Sequence, residues 1–186
     1  MREIEVKLRF PDANEARRQL GVAGAVALYP RCFEDNRVYD DAEGSFGRDW
    51  RLLRLRDTRG RRILTYKHPP ESGEEGKDFK VRVEHETEVV GEGIEEIIQA
   101  LGYHQTWRYQ KYRQRYELDG VSLELDEIPI GVFLEIEGQP EEIDRVARKL
   151  GYDRDSYMTM TYRELFCEHQ GSEEPGDMVF DKQPKE

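Results

Sequence analysis

Charged residues recur two positions apart along this chain: Glu3, Glu5 and Lys7; Arg54 and Arg56; Lys80, Arg82, Glu84 and Glu86; Lys111, Arg113 and Arg115; Glu135 and Glu137. Lys67 and Asp126 stand singly in similar surroundings. In a strand, residues two apart project from one face, so each set is a ladder aimed in a single direction. Arginine forks match phosphate oxygens in pairs, and lysines add compact positive charge. The carboxylates offer hard oxygen ligands of the kind Mg²⁺ or Mn²⁺ prefers, and Mg²⁺ usually joins one or two of them to substrate phosphates. Such a mixture could support metal-assisted chemistry at phosphorus, where positioning and electrostatics supply most of the catalysis.

The elements that must carry these ladders follow from periodicity. Residues 2–10 alternate, with Glu3, Glu5, Lys7 and Arg9 on one face and Ile4, Val6, Leu8 and Phe10 on the other, which predicts a strand. Pro11-Asp12 opens a helix through Ala13, Ala16 and Leu20 that Gly21 can close. An extended stretch from Ala25 to Tyr39 breaks at Asp40-Asp41-Ala42-Glu43-Gly44. Strands over 50–58 and 61–68 are joined by Thr58-Arg59-Gly60, a tight hairpin signal, and 80–88 resumes alternation after a Pro- and Gly-rich loop over 69–76, read as mobile. Further strands are expected over 103–117, 120–127 and 130–138, with Asp119-Gly120 turning one hairpin. Helical spacing of Ile94, Ile97, Ile98 and Leu101 ends at Gly102, and that of Ile143, Val146, Ala147 and Leu150 ends at Gly151. A last helix is expected over 156–166, and the polar segment from His169 on reads as disordered.

Three pairs, Glu3-x-Glu5, Glu86-x-Glu88 and Glu135-x-Glu137, each precede a short amphipathic helix that ends in Leu-Gly, which suggests a repeated strand-helix-strand unit. The helices need an apolar sheet face to cover, and Ile4/Val6/Leu8, Val81/Val83 and Leu134/Ile136 supply it. The charged ladders then lie on the other face. A solvated face is the ordinary reading of any one such ladder. Closing the sheet instead turns all of them into a barrel lumen, where unpaired cations would cost several kcal/mol each, so carboxylates and a phosphate-rich ligand must share the space.

Composition narrows the rest. The 186 residues suit one substantial core, and a formal net charge of -11 disfavours a general nucleic-acid binder. The N-terminus has no apolar signal region and no later run approaches bilayer length, so a cytoplasmic protein with no membrane partner is expected. Cys32 and Cys167 lack any Cys-x-x-Cys partner, and His68, His85, His104 and His169 form no zinc motif. There is no P-loop, and Gly91-x-Gly93 lacks the third dinucleotide-binding glycine, so phosphate recognition must come from side chains. Trp50, Trp107, Tyr39, Tyr109 and Tyr112 could stack on a base, although strand aromatics are more often packing residues.

The ordered series Glu3-Ile4-Glu5-Val6-Lys7, Leu53-Arg54-Leu55-Arg56, Tyr66-Lys67, Arg82-x-Glu84-x-Glu86, Lys111-x-Arg113, Leu125-Asp126 and Gly131-x-Phe133-x-Glu135-Ile136-Glu137 resembles the CYTH superfamily, the triphosphate tunnel metalloenzymes. Thr161-Tyr162-Arg163-Glu164-Leu165-Phe166 is similar to that family's C-terminal Ser-Tyr-x-x-Leu-Leu, and the likeness spans residues 1–167, leaving 168–186 as a tail. The resemblance implies an α+β fold in which a closed eight-stranded antiparallel barrel carries its helices outside. It implies that Lys7, Arg54, Arg56, Lys67, Arg82, Lys111 and Arg113 hold a small-molecule triphosphate, and that Glu3, Glu5, Asp126, Glu135 and Glu137 hold Mg²⁺ or Mn²⁺. Glu3, Glu5, Lys7, Arg56 and Lys111 are the residues expected to be catalytic. The layout is nearest to sequences grouped with class IV adenylate cyclases, which implies ATP conversion to cyclic AMP and pyrophosphate. A triphosphatase acting on thiamine triphosphate, tripolyphosphate or a nucleotide would use the same cradle. A non-catalytic triphosphate-binding module would need the cations but not the acids.

Overall fold

A computed structural model describes residues 2–71 and 78–181, and most of the glycine-rich loop expected over 69–76 lies outside them. The chain runs β1 (Arg2–Phe10), α1 (Ala13–Ala23), β2 (Val26–Ala27), β3 (Cys32–Asp40), α2 (Ser45–Arg48), β4 (Leu52–Thr58), β5 (Arg61–His68), β6 (Lys80–Val89), α3 (Ile94–Ala100), β7 (His104–Leu118), β8 (Val121–Ile128), β9 (Gly131–Glu137), α4 (Pro140–Lys149) and α5 (Tyr162–Gln170). The strands pair in the order β2-β7-β3-β4-β5-β6-β1-β9-β8, and a further β7–β8 pairing closes the sheet. Eight antiparallel strands therefore form a barrel, with β2 added at the far end of the long β7.

The alternation of β1 decides which face is which. Ile4, Val6, Leu8 and Phe10 point outward and are buried with Leu123, Leu125, Leu134 and Ile136 of β8 and β9 beneath Ala16 and Leu20 of α1 and Ile143, Val146 and Ala147 of α4. Truncating such a buried leucine or isoleucine to alanine costs ~2–5 kcal/mol, so this layer is what keeps the barrel shut. The helices start where their caps allow. Asp12 accepts the backbone N–H groups of Asn14 and Glu15, and Thr161 and Glu164 form a reciprocal cap on α5. Both hairpin signals hold: Arg59-Gly60 and Asp119-Gly120 sit at positive φ, as tight two-residue turns require.

Three local expectations are corrected. Helix α1 runs past Gly21 and is closed by Gly24 at φ 85. The last helix begins at Tyr162 rather than near 156, because Met158 first exchanges two backbone hydrogen bonds with Lys7, where β1 leaves its β6 partner. Within the segment from His169 on, expected to be disordered, His169 and Gln170 complete α5 and residues 176–180 lie against β7. Met178 is buried and pairs with the stretch of β7 that precedes its contact with β8, donating to the Arg108 carbonyl and accepting from Gln110 N–H. That otherwise open strand edge is the physical reason the tail is held.

Candidate active site

The lumen is a cavity of about 770 Å³, and every ladder named from the sequence contributes to its wall. Strand register brings the charges together. Glu3 lies opposite Arg82 and Glu5 opposite Lys80 on β6, while on β9 Glu5 faces Glu137 and Lys7 faces Glu135. Around the barrel, Glu135 faces Glu124, Glu124 faces Arg115, and Lys111 faces Glu34. Lys67 completes the circuit opposite Glu84.

Part of the cavity wall, beside Lys7 and Lys111, is aromatic. Tyr162 at the start of α5 meets the Phe133 ring edge-on at 5.8 Å, with Trp107, Ile128 and Phe166 in the same cluster. The Tyr162 hydroxyl donates to Asp126 at 2.7 Å, and its ring lies 5.3 Å from Lys7 Nζ and 5.5 Å from Lys111 Nζ. Tyr162 therefore also helps position two of the cations.

Nearly every cation in the lumen holds a carboxylate. Lys7 Nζ donates to Glu5 at 2.8 Å and lies 3.3 Å from Glu135; Lys80 Nζ donates to the same Glu5 oxygen at 2.7 Å. Lys67 spans both oxygens of Glu3 at 2.9 and 2.7 Å and also contacts Glu84. Arg113 donates to Asp126 and Glu135 and contacts Glu124, which in turn holds Arg115. Arg56 donates to Glu86 at 3.0 Å, Arg54 donates to the Tyr109 hydroxyl and Thr65, and Arg82 donates to the backbone carbonyl of Trp50.

These pairings set the protonation states. Burial pushes Glu5 upward, but Lys7 and Lys80 outweigh it and hold the carboxyl well below its ordinary value. Burial likewise acts against the Lys7 ammonium, and Glu5 and Glu135 together overcome it, so Lys7 stays charged. Glu137 is the exception. It makes no side-chain hydrogen bond or ion pair among the described residues, and burial, with Glu3 and Glu124 adding repulsion, pushes it up to about 7.

Of the residues expected to form the site, Glu3, Glu5, Lys7, Arg54, Arg56, Lys67, Arg82, Lys111, Arg113, Glu135 and Glu137 all reach the cavity. Asp126 does not. It is fully buried in the wall, where it accepts from Lys111 at 3.0 Å, from Arg113 at 2.7 Å and from Tyr162. With those donors on its oxygens it positions cations and is poorly placed as a metal ligand. Sequence reasoning passed over Glu34 and Glu124. Glu34 lies 3.7 Å from both Arg56 and Lys111, and although burial opposes its charge, those neighbours and Arg113 bring it down to about 2. Glu124 is two residues from Asp126 on β8, so the same-face rule already pointed to it.

The CYTH domain model matches residues 1–162. The chain belongs to the CYTH family. A curated relative named putative adenylate cyclase, from Methanocaldococcus jannaschii, is 25% identical over 177 residues, spanning 89% of this chain and 98% of that one. The solved structure of a putative adenylate cyclase from Vibrio parahaemolyticus superposes with a TM-score of 0.74 at 15% identity, covering 88% of this chain and 96% of that one, and shares the fold. So does a putative adenylyl cyclase from Hippeastrum, whose structure is reported with a dominant triphosphatase activity, at a TM-score of 0.63 and 18% identity over 91% and 96% of the two chains. Within this CYTH chain, no helix of the described residues is long and apolar enough to cross a membrane.

The acids fit a hard cation that arrives with its own oxygen ligands. No three acidic, histidine or cysteine side chains among the described residues converge tightly enough to cage an ion alone. Mg²⁺ seldom needs such a cage, because one or two carboxylates plus phosphate oxygens and water complete its shell. Glu137, which makes no ion pair among the described residues, and Glu3, whose charge raises it, could supply carboxylate oxygens for that role.

Proposed function

We propose that this CYTH protein is a divalent-metal-dependent enzyme that breaks a phosphoanhydride bond of an organic triphosphate held in the lumen. The observation that carries the reading is the pairing itself: a closed tunnel in which lysines and arginines hold carboxylates, with Glu137 left over and pushed up to about 7. In this reading Lys7, Arg56, Lys67, Lys111 and Arg113 move hydrogen bonds from carboxylate to phosphate oxygens when substrate enters, and Arg54 and Arg82 add further donors. Glu3 and Glu5 are thereby freed to join Glu137 in binding Mg²⁺ or Mn²⁺. When bound, the ion neutralises phosphate charge and acts as a Lewis acid on phosphate oxygen. The rigid wall keeps the cations in place, so little reorganisation is left for the reacting state. Asp126, Glu34 and Tyr162 act through the cations they position.

Two products are compatible with this cradle. Attack by the ribose 3′-hydroxyl on the α-phosphorus releases pyrophosphate and cyclic AMP, the reading supported by the name of the Methanocaldococcus relative. Attack by water on the terminal phosphorus releases orthophosphate, supported by the activity reported for the Hippeastrum protein of the same fold. Incubation with ATP, thiamine triphosphate and tripolyphosphate plus Mg²⁺ or Mn²⁺, with cyclic AMP, pyrophosphate and orthophosphate separated, decides between them. Tight binding without consumption of any of the three would favour a binding module and overturn the enzymatic reading.

A further inference from the structure

Arg54 differs from Arg56, Arg113 and Arg115 in what holds it. Each of those three donates to a carboxylate. Arg54 is fixed by two neutral hydroxyls instead: it donates to Tyr109 at 3.1 Å and to Thr65 at 3.2 Å, and among the described residues it reaches a carboxylate, Glu86, only at 4.0 Å. No acid has to be drawn off this guanidinium when an anion arrives, so its aim is set in advance by whatever fixes the two hydroxyls. Thr65 faces Arg54 directly across the β4–β5 register and is placed by the sheet. Tyr109 stands on β7, with β3 between it and β4, and must be placed by the packing around its ring.

That packing comes from the C-terminal segment. The Tyr109 ring stacks on Trp107, with centroids 4.7 Å apart and planes 23° apart, and the Trp107 indole N–H donates to the Gly176 carbonyl at 3.0 Å. Met178, which has no exposed surface, lies in the same apolar cluster as both rings. Residues 176–180 are in turn pinned to β7. Arg108 N–H donates to Asp177 at 2.8 Å, Met178 exchanges backbone hydrogen bonds with Arg108 and Gln110, and Phe180 N–H donates to the Gln110 side chain at 3.2 Å. The Phe180 ring also packs on Tyr112, with centroids 5.3 Å apart. The segment lies beyond residue 162, where the family match ends. An unbroken series of packed groups therefore runs from Gly176 and Met178 through Trp107 and Tyr109 to Arg54.

Resting on the function proposed above, we infer that residues 176–180 form a strap that belongs to the anion-binding machinery: Met178 and Trp107 are positioning residues that hold Tyr109, and Tyr109 aims the Arg54 guanidinium at phosphate oxygens. Stabilising the barrel and positioning Arg54 are separable roles. A strap that only covered the open edge of β7 would change the melting temperature and act on no single side chain of the lumen. A strap that acts through Tyr109 loses its effect on binding once the Tyr109 hydroxyl is gone, because the two changes then break the same link.

The test is a double-mutant cycle on the full chain, read by calorimetric titration with tripolyphosphate in EDTA, where turnover cannot intervene. Tyr109→Phe should weaken binding by about tenfold, the scale of one hydrogen bond to a charged group. Met178→Ala and Trp107→Phe should each weaken it by roughly three- to fivefold in the wild-type background and by less than about twofold in the Tyr109→Phe background. Met178→Leu, which nearly conserves volume, should bind as wild type does. Trp107→Phe keeps a ring against Tyr109 but cannot donate to Gly176, so it carries the comparison by itself should Met178→Ala fail to fold. Unchanged affinity in the strap variants, or equal losses with and without the Tyr109 hydroxyl, would overturn the inference while leaving the tunnel reading intact. Failure of tripolyphosphate to bind wild type would overturn the tunnel reading itself, and this inference with it.

Discussion

Replacing Glu137 by glutamine should make the metal-free protein more stable. In the folded chain the carboxyl is pushed up to about 7 by burial and by Glu3 and Glu124, against an ordinary value of 4.5. A group whose folded value is raised contributes stability that is complete below the ordinary value and lost as pH climbs through the folded one. At pH 8 the wild type therefore carries an ionised Glu137 at a cost of at most about 3 kcal/mol, which partial solvent access screens to ~1–2 kcal/mol. In a chain of this size that corresponds to roughly 3–6 °C in melting temperature. Thermal melts in EDTA at low salt should place Glu137→Gln above wild type by that margin at pH 8, with the gap closing towards zero at pH 4.5. Adding Mn²⁺ with tripolyphosphate should reverse the order, because the wild type gains a ligand the variant cannot hold. A variant that melts below wild type at pH 8 in EDTA, or a gap that does not change with pH, would refute the electrostatic reasoning.

Further outcomes follow from the same contacts. Arg56→Ala should weaken tripolyphosphate binding by about tenfold or more, the loss of one charge-assisted contact, with Mn²⁺ affinity unchanged; calorimetric titrations of each ligand would contradict the assignment if both fell together. Asp126→Asn should cost ~3–5 kcal/mol in denaturant melts, because it leaves Lys111 and Arg113 buried without their shared acid, and a variant as stable as wild type would show that the wall does not depend on it. Mn²⁺ should bind the free protein weakly and at least about tenfold more tightly with tripolyphosphate present, and by linkage the converse should hold. The reason is that lysines occupy Glu3 and Glu5 until phosphate draws them off. Equal Mn²⁺ affinity with and without tripolyphosphate would count against exchange of partners.

Much of the barrel was legible because β1 and β6 alternate and β9 nearly does, and a closed sheet with apolar residues under its helices leaves the charged face only one place to go. Periodicity assigns a side chain to a face but says nothing of how far it reaches. Asp126 shows the difference: it points inward as expected, yet its neighbours Lys111, Arg113 and Tyr162 consume it before it meets the lumen. Glu34 was hidden for a related reason, since its strand mixes buried acids with Phe33 and Val38 and displays no plain ladder. The start of α5 was misplaced because helical spacing between 156 and 166 cannot reveal that β1 needs a backbone partner at Met158. Met178 escaped notice because one apolar residue in a polar tail carries no period, and its partner is an open strand edge that exists only in the folded barrel.

The central claim is that phosphate and a divalent cation meet inside the lumen. Anomalous diffraction from crystals grown with Mn²⁺ and tripolyphosphate tests it directly. The account predicts an Mn²⁺ peak within bonding distance of Glu137, and phosphate oxygens against Lys7, Arg56 and Lys111. A lumen holding neither under those conditions, or Mn²⁺ bound only on the outer surface, would contradict it.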